Sequence, residues 1–143
     1  MLFRSENLFC KAFDARNLSR GDISADASKA MIGFGIKTFL HKNGRSFEKV
    51  AEFNSDHQFF SSLSAEEKVL KVAGLRNERI ETTKHIAGIS DIIYHCVTRN
   101  EKGIFVYEEP MRTVQLDTIK NLKFNKGIIH FEDAFEEIGR AHV

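Results

Sequence analysis

The chain has 143 residues, of which 42% are hydrophobic and 29% charged, and its formal charge is +1. That balance is globular, the length suffices for one ordinary domain, and no apolar run approaches the roughly 20 residues of a membrane-spanning helix. A near-neutral charge excludes a uniformly basic surface, so any contact with a polyanion must come from a local patch.

Both ends read as translated sequencing adapter. Ile138-Gly139-Arg140-Ala141-His142-Val143 is what AGATCGGAAGAGCACACGTC gives in one frame, and Met1-Leu2-Phe3-Arg4-Ser5 fits the complementary strand with GTG as initiator. Segments of that origin are set aside before fold reasoning. Residues 6–137 then remain as one domain fragment, truncated, of a larger intracellular protein, with residues 1–5 and 138–143 as scars. Removing Arg4 and Arg140, with no acid lost, turns the formal charge of +1 into −1. Thirteen Phe, no Trp and the single Pro110 point to a Phe-rich core without a long disordered linker. Cys10 and Cys96, far apart and among apolar neighbours, read as buried free thiols of a reducing cytoplasm.

In chain order, Leu8, Phe9, Ala12 and Phe13 recur at helical spacing and predict a helix within 6–18. Residues 23–27 are short and extended, Ser28-Lys29-Ala30 reads as a turn, and 31–40 alternates as a strand. Asn43-Gly44 is the strongest short-range signal for a two-residue type I′ hairpin, with 47–54 as the returning strand. Ser64, with Glu67 three residues on, forms a capping box for a helix from Ala65 that continues past Gly74 toward Ala87. Residues 91–98 and 104–107 are β-branched and aromatic runs forming a second hairpin, followed by a short helix near 117–122 and a strand near 127–131. The fold class is α/β in the α+β sense: a mixed, largely antiparallel sheet flanked by helices. No repeat, low-complexity tract or shift of composition marks an internal boundary.

The first hairpin carries the chemistry. An Asn43-Gly44 turn sets Lys37 opposite Val50 and Gly35 opposite Glu52. Strand alternation then gathers Ile32, Phe34, Ile36 and Thr38 on a core face, and Gly33, Gly35, Lys37, Glu52 and Asn54 on the other. There Lys37 and Glu52 are diagonal neighbours about 7 Å apart at the backbone. The two glycines leave bare surface where a ligand could approach. A short turn brings Asp26 to the same side. Two carboxylates are hard oxygen ligands that suit Mg²⁺, whose remaining ligands come from water and substrate phosphate. A lysine beside them can orient an attacking water and offset charge on the phosphate.

On these residues the sequence resembles the PD-(D/E)xK nuclease superfamily, and within it the type II restriction endonucleases. The family pattern is an Asp at the end of one strand and an acid-x-Lys triplet on the next. Asp26 matches the first position, and Gly35-Ile36-Lys37 matches the triplet with glycine in place of the acid. Glu52, across from Gly35 in the hairpin register, is the replacement acid, and Glu6 resembles the acid that many members carry on an N-terminal helix. The resemblance covers residues 6–54. It implies a restriction-enzyme-like, Mg²⁺-dependent endonuclease that hydrolyses phosphodiesters of double-stranded DNA, with a homodimer as a further partner. Asp26 and Glu52 would hold the metal, Lys37 would position the water, and Asn54, Gly33 and Gly35 would contact substrate.

Competing readings stand beside it. Lys37 and Glu52 also read as an ordinary cross-strand ion pair, Asp26 as a turn or cap residue, and the glycines as relief for packing against a helix. Arg16, Arg20, Lys29, Lys42 and Arg45 read either as DNA-phosphate ligands or as scattered surface cations. His41, His57, His85, His95 and His130 show no zinc-ligand spacing with either cysteine, and the chain has no GxxxxGK[ST] phosphate loop. The alternative function is a non-catalytic DNA-binding or assembly domain of a defence protein.

Overall fold

A computed structural model describes residues 4–40, 48–51, 62–125, 128–134 and 138–142. The elements are α1 (Ser5–Phe13), β1 (Arg16–Asn17), β2 (Ala27–Lys29), β3 (Ile32–Leu40), β4 (Glu48–Ala51), α2 (Ala65–Ala87), β5 (Asp91–Asn100) and β6 (Gly103–Pro110). A 3-10 turn (Leu116–Thr118) and strands β7 (Lys120–Asn125), β8 (Ile128–Glu132) and β9 (Ile138–His142) follow. The class is α+β with a mixed, largely antiparallel sheet, as the sequence predicts. Contacts gather into two compact units, one of residues 1–44 and 79–112, the other of residues 45–78 and 113–143, with the division falling inside α2.

The first unit is a five-stranded sheet in the order β1-β2-β3-β5-β6, in which only β3 and β5 run parallel. Its central strands are covered on both faces, as parallel pairs require. On one face Phe9 of α1 packs on Ala27 and Ile36, with Phe34, Cys10 and Ala15 around them. On the other, Ile80 of α2 joins Ala25, Ile89, Ile92 and Met111. The helix α1 ends at Asp14, whose left-handed conformation (φ 51°) lets Ala15 donate to the Cys10 carbonyl.

The turn between β2 and β3 falls one residue later than the predicted Ser28-Lys29-Ala30. Ala30 and Met31 occupy its two central positions with φ of 48° and 67°, the type I′ signature, and Lys29 faces Ile32. Neither residue favours positive φ, so no turn signal is legible there. Ser90 braces the turn by donating its backbone N–H to the Met31 carbonyl at 2.7 Å.

The second unit holds residues 65–78 of α2 and a four-stranded sheet in the order β4-β9-β8-β7. Its core is Val69, Ile129 and Phe131, with Val114, Ile119 and Leu122. The capping box forms as predicted: Ser64 donates its backbone N–H to Glu67 at 2.7 Å, and Glu67 returns its own to Ser64 Oγ at 3.2 Å. The helix runs through Gly74 to Ala87, and Gly88 follows at φ 64°, the left-handed position glycine supplies at a helix end.

Two expectations are corrected. The strand 48–51 does not return on β3; it lies parallel to β9, and β3 instead pairs along its whole length with β5. β3 takes its partner from the non-local apolar run 92–97. The helix near 117–122 is a single 3-10 turn that passes into β7. Residues 138–142 form β9.

Candidate functional site

Asp26 stands where β2 has not yet begun and β3 continues past it. Its backbone N–H donates to the Phe34 carbonyl at 2.8 Å, and its own carbonyl accepts from Leu18 at 2.8 Å. The next donor along β3, the Ile36 N–H, meets a side chain in place of a strand: Asp26 Oδ2 accepts it at 2.7 Å. The loop before Asp26 is pinned to α2, since Ser24 donates its N–H to Thr83 Oγ1 at 2.9 Å and Arg79 pairs with Asp22. Ala25, beside it, is buried against Ile80 and Ile89. The half-buried carboxylate is therefore held by its neighbours on both sides.

Lys37 follows Ile36 on β3, opposite Cys96, with its Nζ 5.8 Å from the centre of the Tyr94 ring. That distance is within cation–π range. Glu6 lies in the first turn of α1, one helical turn before Cys10. Burial pushes the Asp26 carboxyl up from its ordinary value; the Ile36 N–H and the Lys37 charge pull against this, and the Glu6 charge adds to the rise. Burial likewise raises the Cys10 thiol, and the Asp26 and Glu6 charges add to it. The Asp26 carboxyl thus feels the charges of both Lys37 and Glu6.

Of the residues singled out in the sequence, Asp26 lies against Ile36, the residue before Lys37 on β3. Glu52 and Asn54 lie outside the described residues, as do Asn43 and Gly44. Among the described residues the hairpin register does not form, since 48–51 pairs with β9 and not with β3. Gly33 and Gly35 do not line bare surface. A Cβ on Gly33 would stand 2.5 Å from Ile89 Cδ1, and one on Gly35 2.9 Å from Met111 Cε. Both are places of close packing, and β3 has no face free for a ligand at these positions.

Two neighbours had no legible signal. His95 is buried on β5 opposite Ile36, and its Nδ1 lies 3.0 Å from Glu108 Oε1. Its ring meets Phe9 edge-on at 4.8 Å between centroids. A lone histidine in an apolar strand carries no spacing that would single it out, and only the parallel register with β3 brings it beside Ile36. Beside α1 a cleft of about 770 Å³ is lined by Arg4, Asn7, Asn17, Ser19 and Arg20 among others. Of the predicted basic set, Arg20 lies in this cleft, Arg16 and Lys29 are exposed on β1 and β2, and Lys42 and Arg45 lie outside the described residues.

Cys10 and Cys96 are free thiols, the second buried and the first half-buried. Among the described residues, no helix is long and apolar enough to cross a membrane, and no group of three or more His, Cys, Asp or Glu could hold a metal ion. Compared with protein-family models, with curated proteins and with solved structures, the chain finds no match.

Proposed function

We propose that the chain carries the site of a metal-dependent endonuclease that hydrolyses phosphodiesters of double-stranded DNA. The reading rests on one observation: a half-buried Asp26 carboxylate, tied through one oxygen to the Ile36 N–H, shares its surroundings with Glu6 and Lys37. A half-buried carboxylate that feels a second acid's charge favours a cation beside it. The donor set also suits the ion. Asp26 Oδ1 and the Glu6 carboxylate are hard oxygen ligands, and magnesium takes its remaining positions from water and phosphate. When bound, Mg²⁺ supplies Lewis-acid polarisation of the phosphoryl oxygen. Lys37 orients the attacking water and offsets charge building on the phosphate. Arg20 of the neighbouring cleft neutralises a flanking phosphate.

This assignment keeps Asp26 and Lys37 from the sequence and gives the second acid to Glu6, because Glu52 lies outside the described residues and 48–51 does not pair with β3. The test is nicking of supercoiled plasmid with Mg²⁺ or Mn²⁺. Asp26→Asn and Lys37→Ala are expected to lower the rate by about 100-fold or more, the scale of losing one preorganised electrostatic partner. Cleavage that survives both substitutions overturns the assignment.

One observation favours a second reading, a non-catalytic DNA-binding or assembly domain. Met111 and Tyr94 close the space at Gly35, where the triplet of the resembled family carries its acid. Titration calorimetry separates the two, since only the nuclease reading expects Mn²⁺ binding that disappears in Asp26→Asn.

A further inference from the structure

The outer strand of the first unit's sheet is unusual in what it leaves uncovered. All eight residues of β6 are exposed, Ile104 by 73%, Val106 by 58%, Phe105 by 48% and Tyr107 by 38%. Pairing with β5 sets Phe105 and Tyr107 on one face of the sheet and Ile104 and Val106 on the other, so both faces are apolar. Edge strands in proteins are ordinarily short, charged or covered, because an open ladder of N–H and C=O groups recruits another strand. Among the described residues, the free edge of β6 carries none of these devices over 104–107.

We propose that β6 is the edge through which two copies of this chain pair, antiparallel and about a two-fold axis. The direction of pairing follows from charge. Lys102 precedes the strand, and Glu108 and Glu109 end it. With Glu101 beside Lys102 at the start, antiparallel self-pairing about Val106 sets Lys102 of each copy diagonal to Glu108 of the other and Glu101 diagonal to Glu109, whereas in-register parallel pairing would set each of these four charges beside its own kind.

The ladder follows from one hydrogen bond. Met111 donates to the Ile92 carbonyl at 2.8 Å, and bonding alternates along an antiparallel pair. Phe105, Tyr107 and Glu109 therefore turn their backbone groups toward β5, and Ile104, Val106 and Glu108 turn theirs outward. A two-fold axis at Val106 sets Val106 on Val106 of the second copy and Phe105 on Tyr107 of the second copy, an isologous contact. Pro110, with no N–H to offer, ends the outward ladder.

The inference does not depend on the nuclease reading, and its test involves no catalysis. Light scattering behind size exclusion at about 100 μM is expected to give twice the monomer mass, within the affinity range of modest interfaces. Val106→Pro removes an outward N–H and Ile104→Lys puts a charge on the edge, while neither touches the ladder to β5; both are expected to be monomeric. On the unaltered protein, amide exchange at Ile104 and Val106 is expected to slow as concentration rises, with Phe105 and Tyr107 indifferent. A monomer at that concentration, a dimer that persists in both variants, or outward amides insensitive to concentration would each overturn the proposal.

Discussion

Replacing Gly33 by alanine tests which side of β3 is packed. An added Cβ would stand 2.5 Å from Ile89 Cδ1, 3.2 Å from Ala25 Cβ and 3.4 Å from Ile92 Cγ1. Carbon atoms rest about 3.5–4.0 Å apart, so the Ile89 methyl must retreat by about 1 Å or more. It is the end of a side chain and can move. Ala25 cannot, because its Cβ is fixed to a backbone that also positions Asp26. Overpacking of this sort costs about 1–3 kcal/mol, and the lost flexibility of glycine in the unfolded chain returns about 0.5–1 kcal/mol. The net expectation is a loss of about 1–2 kcal/mol. The assay is urea unfolding followed by tyrosine fluorescence: the chain has no Trp, and its two tyrosines, Tyr94 and Tyr107, both lie in the first unit. With a slope near 1–3 kcal/mol per molar urea, the midpoint falls by roughly 0.5–1 M. Gly74→Ala is the control. No described atom lies within 4 Å of a Cβ there, and mid-helix alanine gains about 1 kcal/mol over glycine, read by far-ultraviolet circular dichroism. A Gly33→Ala midpoint equal to or above the parent's would refute the packing argument and restore the open glycine face read from the sequence.

Two further outcomes follow from the same coordinates. The Asp26 carboxyl is raised in the folded protein, so as pH climbs the unfolded chain ionises first and folding loses stability through the window above the ordinary carboxyl value. Asp26→Asn removes that loss while its amide oxygen still accepts the Ile36 N–H; its melting temperature relative to the parent is expected to rise from pH 3 to pH 7, and a fall over that range contradicts the burial. At the β2–β3 turn, Ala30→Asn with Met31→Gly supplies residues suited to positive φ at both central positions. A gain of about 1–2 kcal/mol in urea unfolding is expected, and a loss means the turn is not type I′.

What the sequence made legible is what short-range chemistry determines. The capping box at Ser64 and Glu67, the helix α1 and the β5–β6 hairpin depend on residues within a few positions of one another, and all three form. The β2–β3 turn was displaced because Ala30 and Met31 hold positive φ without the residues that announce it. The pairing of β3 with β5 escaped because it is non-local. Nothing in 32–40 says that a run more than fifty positions later will lie beside it, whereas Asn43-Gly44 offers an explicit local alternative.

The same distinction explains how Asp26 comes to lie against Ile36, the neighbour of Lys37. Asp26 and Lys37 are brought together by one tight antiparallel pair: β2 stops at Ala27, so the carboxylate of the preceding residue reaches the first β3 N–H left without a strand partner, next to Lys37. Any turn that pairs 27–29 with 32–34 delivers that contact, whatever becomes of the chain beyond Leu40. Glu52 depended on the fate of that later chain. The covering of β3 by β5 and the capping of its other edge by Asp26 are one event seen from two sides. A strand buried on both faces and paired along one edge needs its remaining donors satisfied, and a carboxylate at that edge both satisfies one and remains half-buried enough to matter. On the covered face α1, seated on Ile36 through Phe9, carries Glu6, whose charge reaches the Asp26 carboxyl.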